Sequence, residues 1–169
     1  MIYFASAVKF AAKGAKGLSV DTGPGTDNTK PPTSLSRASN GSPHAVIARQ
    51  AGGPAILYAT RGTSGWHVET AASPATVGGD RVIAIDSSGR PHIAYVGSAN
   101  RITHAYRDAT GWHAEVADGS SVAGSYCSLA LDTQGYPRIA YRDSNGGTLK
   151  VASKSAGGWQ VETVGAADD

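Results

Sequence analysis

The feature that most constrains the fold of this chain is an internal repeat of about 46 residues. Trp66, Trp112 and Trp159 recur at intervals of 46 and 47 residues, each inside the pattern G-W-x-x-E. A second recurring segment reads P-H-I-A-Y from Pro91 and P-R-I-A-Y from Pro137. Periods of this length are typical of solenoids, propellers and other repeat arrays. The chain is therefore predicted to be built from successive copies of one structural unit.

Each repeat contains four short apolar segments that are separated by turn signals. In the last copy these segments read S-L-A-L, P-R-I-A-Y, T-L-K-V-A and W-Q-V-E-T-V. Leu129 and Leu131 flank Ala130, which is the alternation of a β-strand and not of a helix. D-S-S-G and D-T-Q-G between the first two segments favour hairpin turns. Four antiparallel strands in this length match one β-propeller blade, so the predicted fold class is all-β, with about three and a half blades per chain.

The repeats divide the chain into blades and connecting segments. The predicted blades are residues 33–71, 80–117 and 126–164. Residues 1–22 are predicted to be the two outer strands of a partial blade, because I-Y-F-A-S and G-L-S-V-D-T match L-K-V-A-S and G-W-Q-V-E-T of the last blade. Residues 23–32 are rich in glycine and proline and are predicted to be a linker. An amphipathic helix from Val8 to Lys16 is the alternative for the N-terminal region.

The composition supports a folded domain and excludes several kinds of partner and site. The chain has 169 residues, of which 40% are hydrophobic, and a formal net charge of +2 without any block of like charges. Neither nucleic acid nor a membrane is an expected partner, since no strongly basic segment and no apolar run of spanning length occurs. The single cysteine, Cys127, excludes an internal disulfide and a multi-cysteine metal site. Lys9 and Lys13 interrupt the first apolar stretch, so no signal peptide is predicted.

A tryptophan, a glutamate and a basic residue recur once in each blade. Residues two apart share one face of a strand, so His67 with Glu69, and His113 with Glu115, lie opposite the tryptophan. Together with a basic residue of the preceding strand, such a pair can bind hydroxyl-rich ligands, and the tryptophan can stack on a sugar ring. The candidate ligand-binding residues are Arg61, Trp66, His67, Glu69, Arg107, Trp112, His113, Glu115, Lys154, Trp159 and Glu162.

The same residues also have a purely structural interpretation. Each tryptophan can pack against the next blade and set the blade spacing, and the charged residues can form solvated ion pairs that contribute little. Asp86 and Asp132 are predicted to cap their own turns, since a calcium site would need several more oxygen ligands. His44 and His92 occur once per blade and are too far apart to share a metal. No metal and no cofactor are predicted.

The blades resemble a bacterial family of propeller-like repeats that read D-x-x-G-x-P-H-I-A-Y followed by G-x-W-x-V-E. Here the motifs are D-S-S-G-R-P-H-I-A-Y and D-T-Q-G-Y-P-R-I-A-Y, followed by G-W-H-A-E-V and G-W-Q-V-E-T. The resemblance covers residues 34–164 well and residues 1–22 weakly. It implies the fold more than an activity, because such proteins are mostly of unknown function. It also favours a secreted or cell-surface location.

No motif of a known catalytic class is present, so the chain is not expected to be an enzyme. G-x-S-x-G, H-E-x-x-H and a phosphate loop are all missing from the sequence. Sialidase propellers carry S-x-D-x-G-x-T-W, whereas the corresponding loops here read R-G-T-S-G-W, R-D-A-T-G-W and K-S-A-G-G-W. The leading hypothesis is a non-enzymatic, lectin-like module with repeated sites between blades. The alternative is a structural, assembly or protein-interaction scaffold without a small-molecule ligand.

Closure of the ring gives an expectation about self-association. Propellers close with about four to eight blades, because an open array exposes apolar faces at its ends. Two chains supply about seven blade equivalents, so a homo-oligomer is predicted and a two-fold dimer is favoured. The alternative is that the chain is a fragment of a larger propeller.

Overall fold

The computed structural model describes residues 9–14, 17–22, 29–50, 52–119, 123–144 and 146–165. These residues form one two-stranded and three four-stranded antiparallel sheets, in which strands adjacent in sequence are paired. The two-stranded sheet consists of β1 (Lys9–Gly14) and β2 (Gly17–Thr22). Blade 1 consists of β3 (Thr29–Arg37), β4 (Pro43–Arg49), β5 (Ala55–Gly62) and β6 (Gly65–Ala72). Blade 2 consists of β7 (Gly78–Ile85), β8 (Pro91–Val96), β9 (Ile102–Asp108) and β10 (Gly111–Asp118). Blade 3 consists of β11 (Ala123–Leu131), β12 (Pro137–Asp143), β13 (Leu149–Ser155) and β14 (Gly158–Gly165).

The first strand of blade 1 is longer than the sequence indicated. Strand β3 begins at Thr29, so residues 29–32 belong to the blade and not to the predicted linker. The pairing of β3 with β4 shifts register between Lys30 and Ser34, and two prolines lie in that interval. A bulge or an edge position accommodates proline because its missing N–H is not needed in the ladder. The remaining linker positions, 23–28, lie outside the described residues.

The N-terminal region contains strands and no helix among its described residues, so the helical alternative from Val8 to Lys16 is wrong. Strand β1 pairs with β2 and places Lys13 opposite Leu18, the register that Lys154 and Trp159 have in blade 3. The partner of β2 is therefore 9–14, whereas Ile2–Ser6, which the sequence match suggested, lies outside the described residues. Only two residues separate β1 from β2, as in the other outer hairpins, whereas the predicted pairing of Ile2–Ser6 with β2 would have needed a longer loop.

The turns that connect the first two strands of blades 2 and 3 contain the same hydrogen bonds. Asp86 Oδ1 accepts the backbone N–H of Ser88 and of Arg90, each at 2.8 Å. Asp132 accepts the equivalent two N–H groups at 2.9 Å. Gly89 has φ of +80°, which an L side chain rarely adopts. The predicted capping role of the two aspartates is confirmed.

The hydrophobic core lies between the blades. Strand β7 packs beside β3 and β11, so the first strand of each blade is the inner one and the last strand is the outer one. One buried cluster joins blades 1 and 2 and includes Ile56 and Ile93; a second joins blades 2 and 3 and includes Ile102 and Ile139. Both faces of blade 2 are thus covered by neighbouring blades. Side chains at the outer parts of the two interfaces are left to line grooves.

Candidate functional site

Two grooves run between the blades, and each contains a repeated set of polar side chains. Groove I lies between blades 1 and 2, and groove II lies between blades 2 and 3. Within a blade, cross-strand pairing places Arg107 opposite Trp112 and Lys154 opposite Trp159, on the face that looks back at the preceding blade. The glutamate of each blade lies on the other face. For example, Glu69 is paired with Tyr58, which packs into the interface with blade 2.

The predicted residues therefore meet between blades and not within one blade. Arg107 Nε of blade 2 lies 3.5 Å from Glu69 Oε1 of blade 1. Lys154 of blade 3 donates a hydrogen bond to Glu115 of blade 2. This corrects the expectation that the basic residue joins the histidine and glutamate of its own blade. The reason is the hairpin register, which puts the basic residue and the glutamate on opposite faces of each sheet.

Trp112 and Trp159 pack against the preceding blade, where the sequence had suggested the next one. Trp112 meets the Tyr58 ring edge-on, with ring centres 5.3 Å apart, and Trp159 meets the His104 ring in the same way at 5.6 Å. Both indole Nε1 atoms are buried without a hydrogen-bond partner. Inter-blade packing of the tryptophans is thus observed. Both rings are half-buried.

Four of the predicted residues lie apart from these two sets. Trp66 packs on a third cluster, at the face of blade 1 turned away from groove I. Arg61 is paired with it but also borders the space between His44, Thr60 and the turn 87–89 of blade 2. Glu162 is exposed on the face of blade 3 turned away from groove II. His113 Nε2 lies 3.0 Å from Asp108 Oδ1 of its own hairpin, and its ring stacks on the Tyr106 ring at the edge of groove II, with ring centres 5.1 Å apart.

His67 is exposed beside groove I, where it is paired across the hairpin with Thr60. Behind Glu69, the inner part of groove I holds a second polar pair. His44 Nδ1 and the Tyr58 hydroxyl are 2.5 Å apart, and both side chains are buried. Burial lowers the pKa of His44 and raises the pKa of Tyr58, which Glu69 raises further. At neutral pH both groups are therefore uncharged, and the charge in groove I belongs to Glu69 and Arg107.

In groove II, His92 occupies the position of His44, and His104 occupies the position of the tyrosine. His104 Nδ1 lies 3.1 Å from Glu115 Oε1, and His104 Nε2 lies 3.1 Å from His92 Nδ1. Burial lowers the pKa of His104 to about 4, although Glu115 opposes this shift. Burial disfavours ionisation of Glu115, but hydrogen bonds from Lys154 and His104 outweigh it and hold the Glu115 pKa below its ordinary value. The Lys154 ammonium also lies 5.6 Å from the centre of the Tyr106 ring.

Equivalent clefts open at the ends of both grooves nearest the turns between the first two strands. The cleft of groove I has a volume of about 390 Å³ and lies between His44, Thr60 and the turn 87–89 of blade 2. The cleft of groove II has a volume of about 360 Å³ and lies between His92, Tyr106 and the turn 134–137 of blade 3. Such volumes are typical of small-molecule sites. Of the glutamates, cations and tryptophans that meet in the two grooves, only Arg107 and Lys154 line a cleft, that of groove II.

Sequence reasoning missed the polar side chains of the third strand. Tyr58 and His104 occupy the same repeat position, as do Thr60 and Tyr106. The available signal was their alternation with the buried Ala59 and Ala105, which puts them on the face that carries the glutamate.

The described ranges contain no group of three or more His, Cys, Asp or Glu side chains that could hold a metal ion. They also contain no helix with the length and apolar character needed to cross a bilayer.

Comparison with known proteins relates the fold to solved structures. No family model matches the chain, and no curated protein sequence matches it. A fucose lectin from Kordia zhangzhouensis, solved with methyl-fucoside, superposes with a TM-score of 0.54 at 19% identity over 78% of this chain and 97% of that one. AofleA from Arthrobotrys oligospora superposes with a TM-score of 0.67 at 14% identity, and its triple arginine-to-alanine variant with 0.65 at 15%.

The AofleA matches cover 94% of this chain and 50% of the other, so the chain spans about half the length of AofleA. At these identities the comparisons establish the fold. The predicted all-β class, with four-stranded propeller blades, is confirmed.

Proposed function

We propose that the chain is a non-enzymatic, lectin-like module that binds hydroxyl-rich ligands in the grooves between its blades. The observation that carries this proposal is the meeting of a carboxylate, a cation and an aromatic ring in both grooves. In groove I these groups are Glu69, Arg107 and Trp112. In groove II they are Glu115, Lys154 and Trp159.

These three kinds of group match the surface of a monosaccharide. An ionised carboxylate accepts hydrogen bonds from neighbouring hydroxyls, and a guanidinium or ammonium group donates to hydroxyl and ring oxygens. The apolar part of an indole suits the C–H face of the sugar or a methyl substituent. The fold similarity to a fucose lectin supports a 6-deoxy sugar as the first ligand to test, because such a sugar carries both hydroxyls and a methyl group.

The test is a glycan array followed by calorimetry with methyl-fucoside and other methyl glycosides. Arg107→Gln is expected to weaken groove I about tenfold or more, since it removes a charge-assisted hydrogen bond. Arg49→Gln is the matched control, because Arg49 lies on the opposite face of blade 1 and donates to the Gly53 carbonyl. A flat array at millimolar sugar, or equal binding by R107Q and R49Q, would refute the lectin proposal. One stoichiometric protein partner in a pull-down, with a flat array, would support the scaffold alternative.

The proposal includes self-association of two copies. Blade 3 exposes Tyr126 (65%), Leu149 (43%) and Val164 (56%), which is an apolar surface that a further sheet can cover. The β1–β2 hairpin pairs Lys13 with Leu18 in the register that Lys154 and Trp159 have in blade 3, so a second copy would supply the outer strands of a further blade. The half-length match to AofleA also supports two copies per ring.

Light scattering tests this association at micromolar concentration. The expected mass is twice that of the chain, and Tyr126→Glu should reduce it to that of one chain. A stable wild-type monomer would contradict the closure argument, and heterogeneous aggregates would favour the fragment alternative.

A further inference from the structure

One buried polar chain distinguishes groove II from groove I. Asp86, His92, His104 and Glu115 follow one another from the first turn of blade 2 to its outer strand. The distances are 3.7 Å from Asp86 Oδ2 to His92 Nε2, 3.1 Å between the imidazoles, and 3.1 Å from His104 to Glu115 Oε1. The His104 side chain is 2% exposed.

The same four positions in groove I hold Ala38, His44, Tyr58 and Glu69. The tyrosine hydroxyl supplies the proton for its contact with the histidine. There is no carboxylate at the turn. At these four positions groove I therefore has one imidazole and no turn carboxylate.

The row of four side chains in groove II has one proton fewer than its three contacts require. Both end groups are carboxylates whose pKa values lie below the ordinary range, so both only accept hydrogen bonds at neutral pH. Three contacts need three N–H groups, whereas two neutral imidazoles carry only two. The two 3.1 Å contacts are within hydrogen-bond range and the 3.7 Å contact is not. The missing proton is therefore the one between Asp86 and His92.

We propose that His92 and His104 form a single-proton site behind Glu115, and that uptake of this proton weakens ligand binding in groove II but not in groove I. This inference rests on the proposed binding function of the grooves. The proton adds to Nε2 of His92, where Asp86 can accept it. The hydrogen bond between the two imidazoles lets the positive charge pass to His104, which lies 3.1 Å from Glu115 Oε1, and this makes that carboxylate a weaker acceptor for ligand hydroxyls. A second proton is opposed, because the two rings are only 5.2 Å apart.

The surroundings of the pair determine the pH range in which it takes up the proton. Burial is the main influence and lowers the pKa of both histidines, that of His104 to about 4. The neighbouring carboxylates favour the proton, and the neighbouring cations oppose it. The titratable or charged groups that face the pair are Asp86 and Arg90 at the turn, Tyr106 on β9, His113 and Glu115 on β10, and Lys154 on β13. The proton is therefore taken up below the ordinary histidine value of 6.5.

The experiment exchanges the residues that distinguish the grooves. His104→Tyr gives groove II the tyrosine of groove I, and Tyr58→His gives groove I the histidine of groove II. Imidazole ¹⁵N shifts are followed by NMR from pH 7.5 to pH 4 in the full chain. In the wild type, His92 and His104 should share one proton over this range, and in H104Y this shared titration should disappear. Two independent protonations, or two neutral rings at pH 4, would overturn the single-proton site.

The ligand arm uses calorimetry with methyl-fucoside at pH 7 and pH 4.5. E69Q leaves groove II to be measured, and its affinity should fall about fivefold or more on acidification. The double variant E69Q/H104Y should change less than about twofold over the same range, and E115Q, which leaves groove I, should do the same. In A38D/Y58H/E115Q, which also supplies the turn carboxylate, a pH dependence should appear in groove I.

Binding in E69Q that is equal at both pH values would overturn the coupling while leaving the lectin function intact. Absence of binding by every variant at both pH values would refute the proposed function and the coupling with it. In that case the NMR titration still decides whether the single-proton site exists. If H104Y does not fold, His92→Gln serves instead, because it breaks the chain at its other ring.

Discussion

The buried histidine of groove II leads to a prediction about stability whose sign can be derived from the structure. His104 is 2% exposed, and its pKa falls from 6.5 to about 4 on folding because burial disfavours the imidazolium. The unfolded chain therefore binds this proton at a higher pH than the folded chain does. The contribution of neutral His104 is complete above pH 6.5 and is lost progressively as the pH falls toward 4. A shift of this size corresponds to a loss of about 3 kcal/mol.

The assay is urea unfolding, followed by circular dichroism, at pH 7, 6, 5 and 4 for wild type and His104→Tyr. The wild type should lose about 3 kcal/mol more than H104Y between pH 7 and pH 4, whatever their difference at pH 7. Asp86 and Glu115 have lowered pKa values, so protonating them also costs stability at acid pH. That loss occurs largely in both proteins, and the difference between the curves isolates the histidine. Parallel curves would refute the argument that burial of a neutral imidazole dominates at this position.

Three further perturbations test the packing, the turns and the cysteine. Ile139→Ala, at a fully buried position between blades 2 and 3, should lower the free energy of unfolding by about 2–5 kcal/mol in urea, and a loss below about 1 kcal/mol would show that the interface relaxes. Asp132→Ala removes two hydrogen bonds to backbone N–H groups and should cost about 1 kcal/mol, with the exposed Thr133→Ala as a neutral control. Burial raises the pKa of the Cys127 thiol to about 12, so native protein at pH 8 should react with iodoacetamide about a thousandfold more slowly than unfolded protein. Rapid labelling of the native state would contradict the burial of Cys127.

The blades could be predicted from the repeat alone, because each blade has to pack against the next one in the same way. Ile93 and Ile139 hold the same position in successive blades, and both are fully buried. Each blade must present the same apolar surface at the same spacing, since interiors are packed without voids. Strand number and order followed from this repetition. The start of β3 did not, since prolines in a bulge are hard to distinguish from a linker by composition.

The strand faces of the candidate residues were predicted more accurately than the grouping of these residues. The period of two correctly put Glu69 and Trp66 on opposite faces of blade 1. The face of the basic residue depends on the hairpin register, and its partner depends on which blade lies against that face. Arg107 therefore meets Glu69, although Glu115 is its counterpart within the repeat. Stacking of successive sheets is a long-range property that the alternation within one strand does not specify.

The two grooves differ from each other more than the cores beside them do, and this predicts different ligand affinities. Positions in the inter-blade core carry similar side chains in blades 2 and 3, whereas the groove positions differ in size, polarity and charge. The core pairs are Ile83 and Leu129, Ile93 and Ile139, and Tyr95 and Tyr141; the groove pairs are Tyr58 and His104, Thr60 and Tyr106, and Arg107 and Lys154.

A guanidinium can donate two hydrogen bonds in a fixed plane, whereas the Lys154 ammonium is a point charge that is already held by Glu115 and lies near the Tyr106 ring. The two grooves should therefore bind methyl-fucoside with different dissociation constants at pH 7. Calorimetry on E69Q and E115Q measures each groove separately. If the two constants differ, Lys154→Arg should move the affinity of groove II toward that of groove I. Equal constants would mean that only the repeated glutamate and tryptophan determine binding.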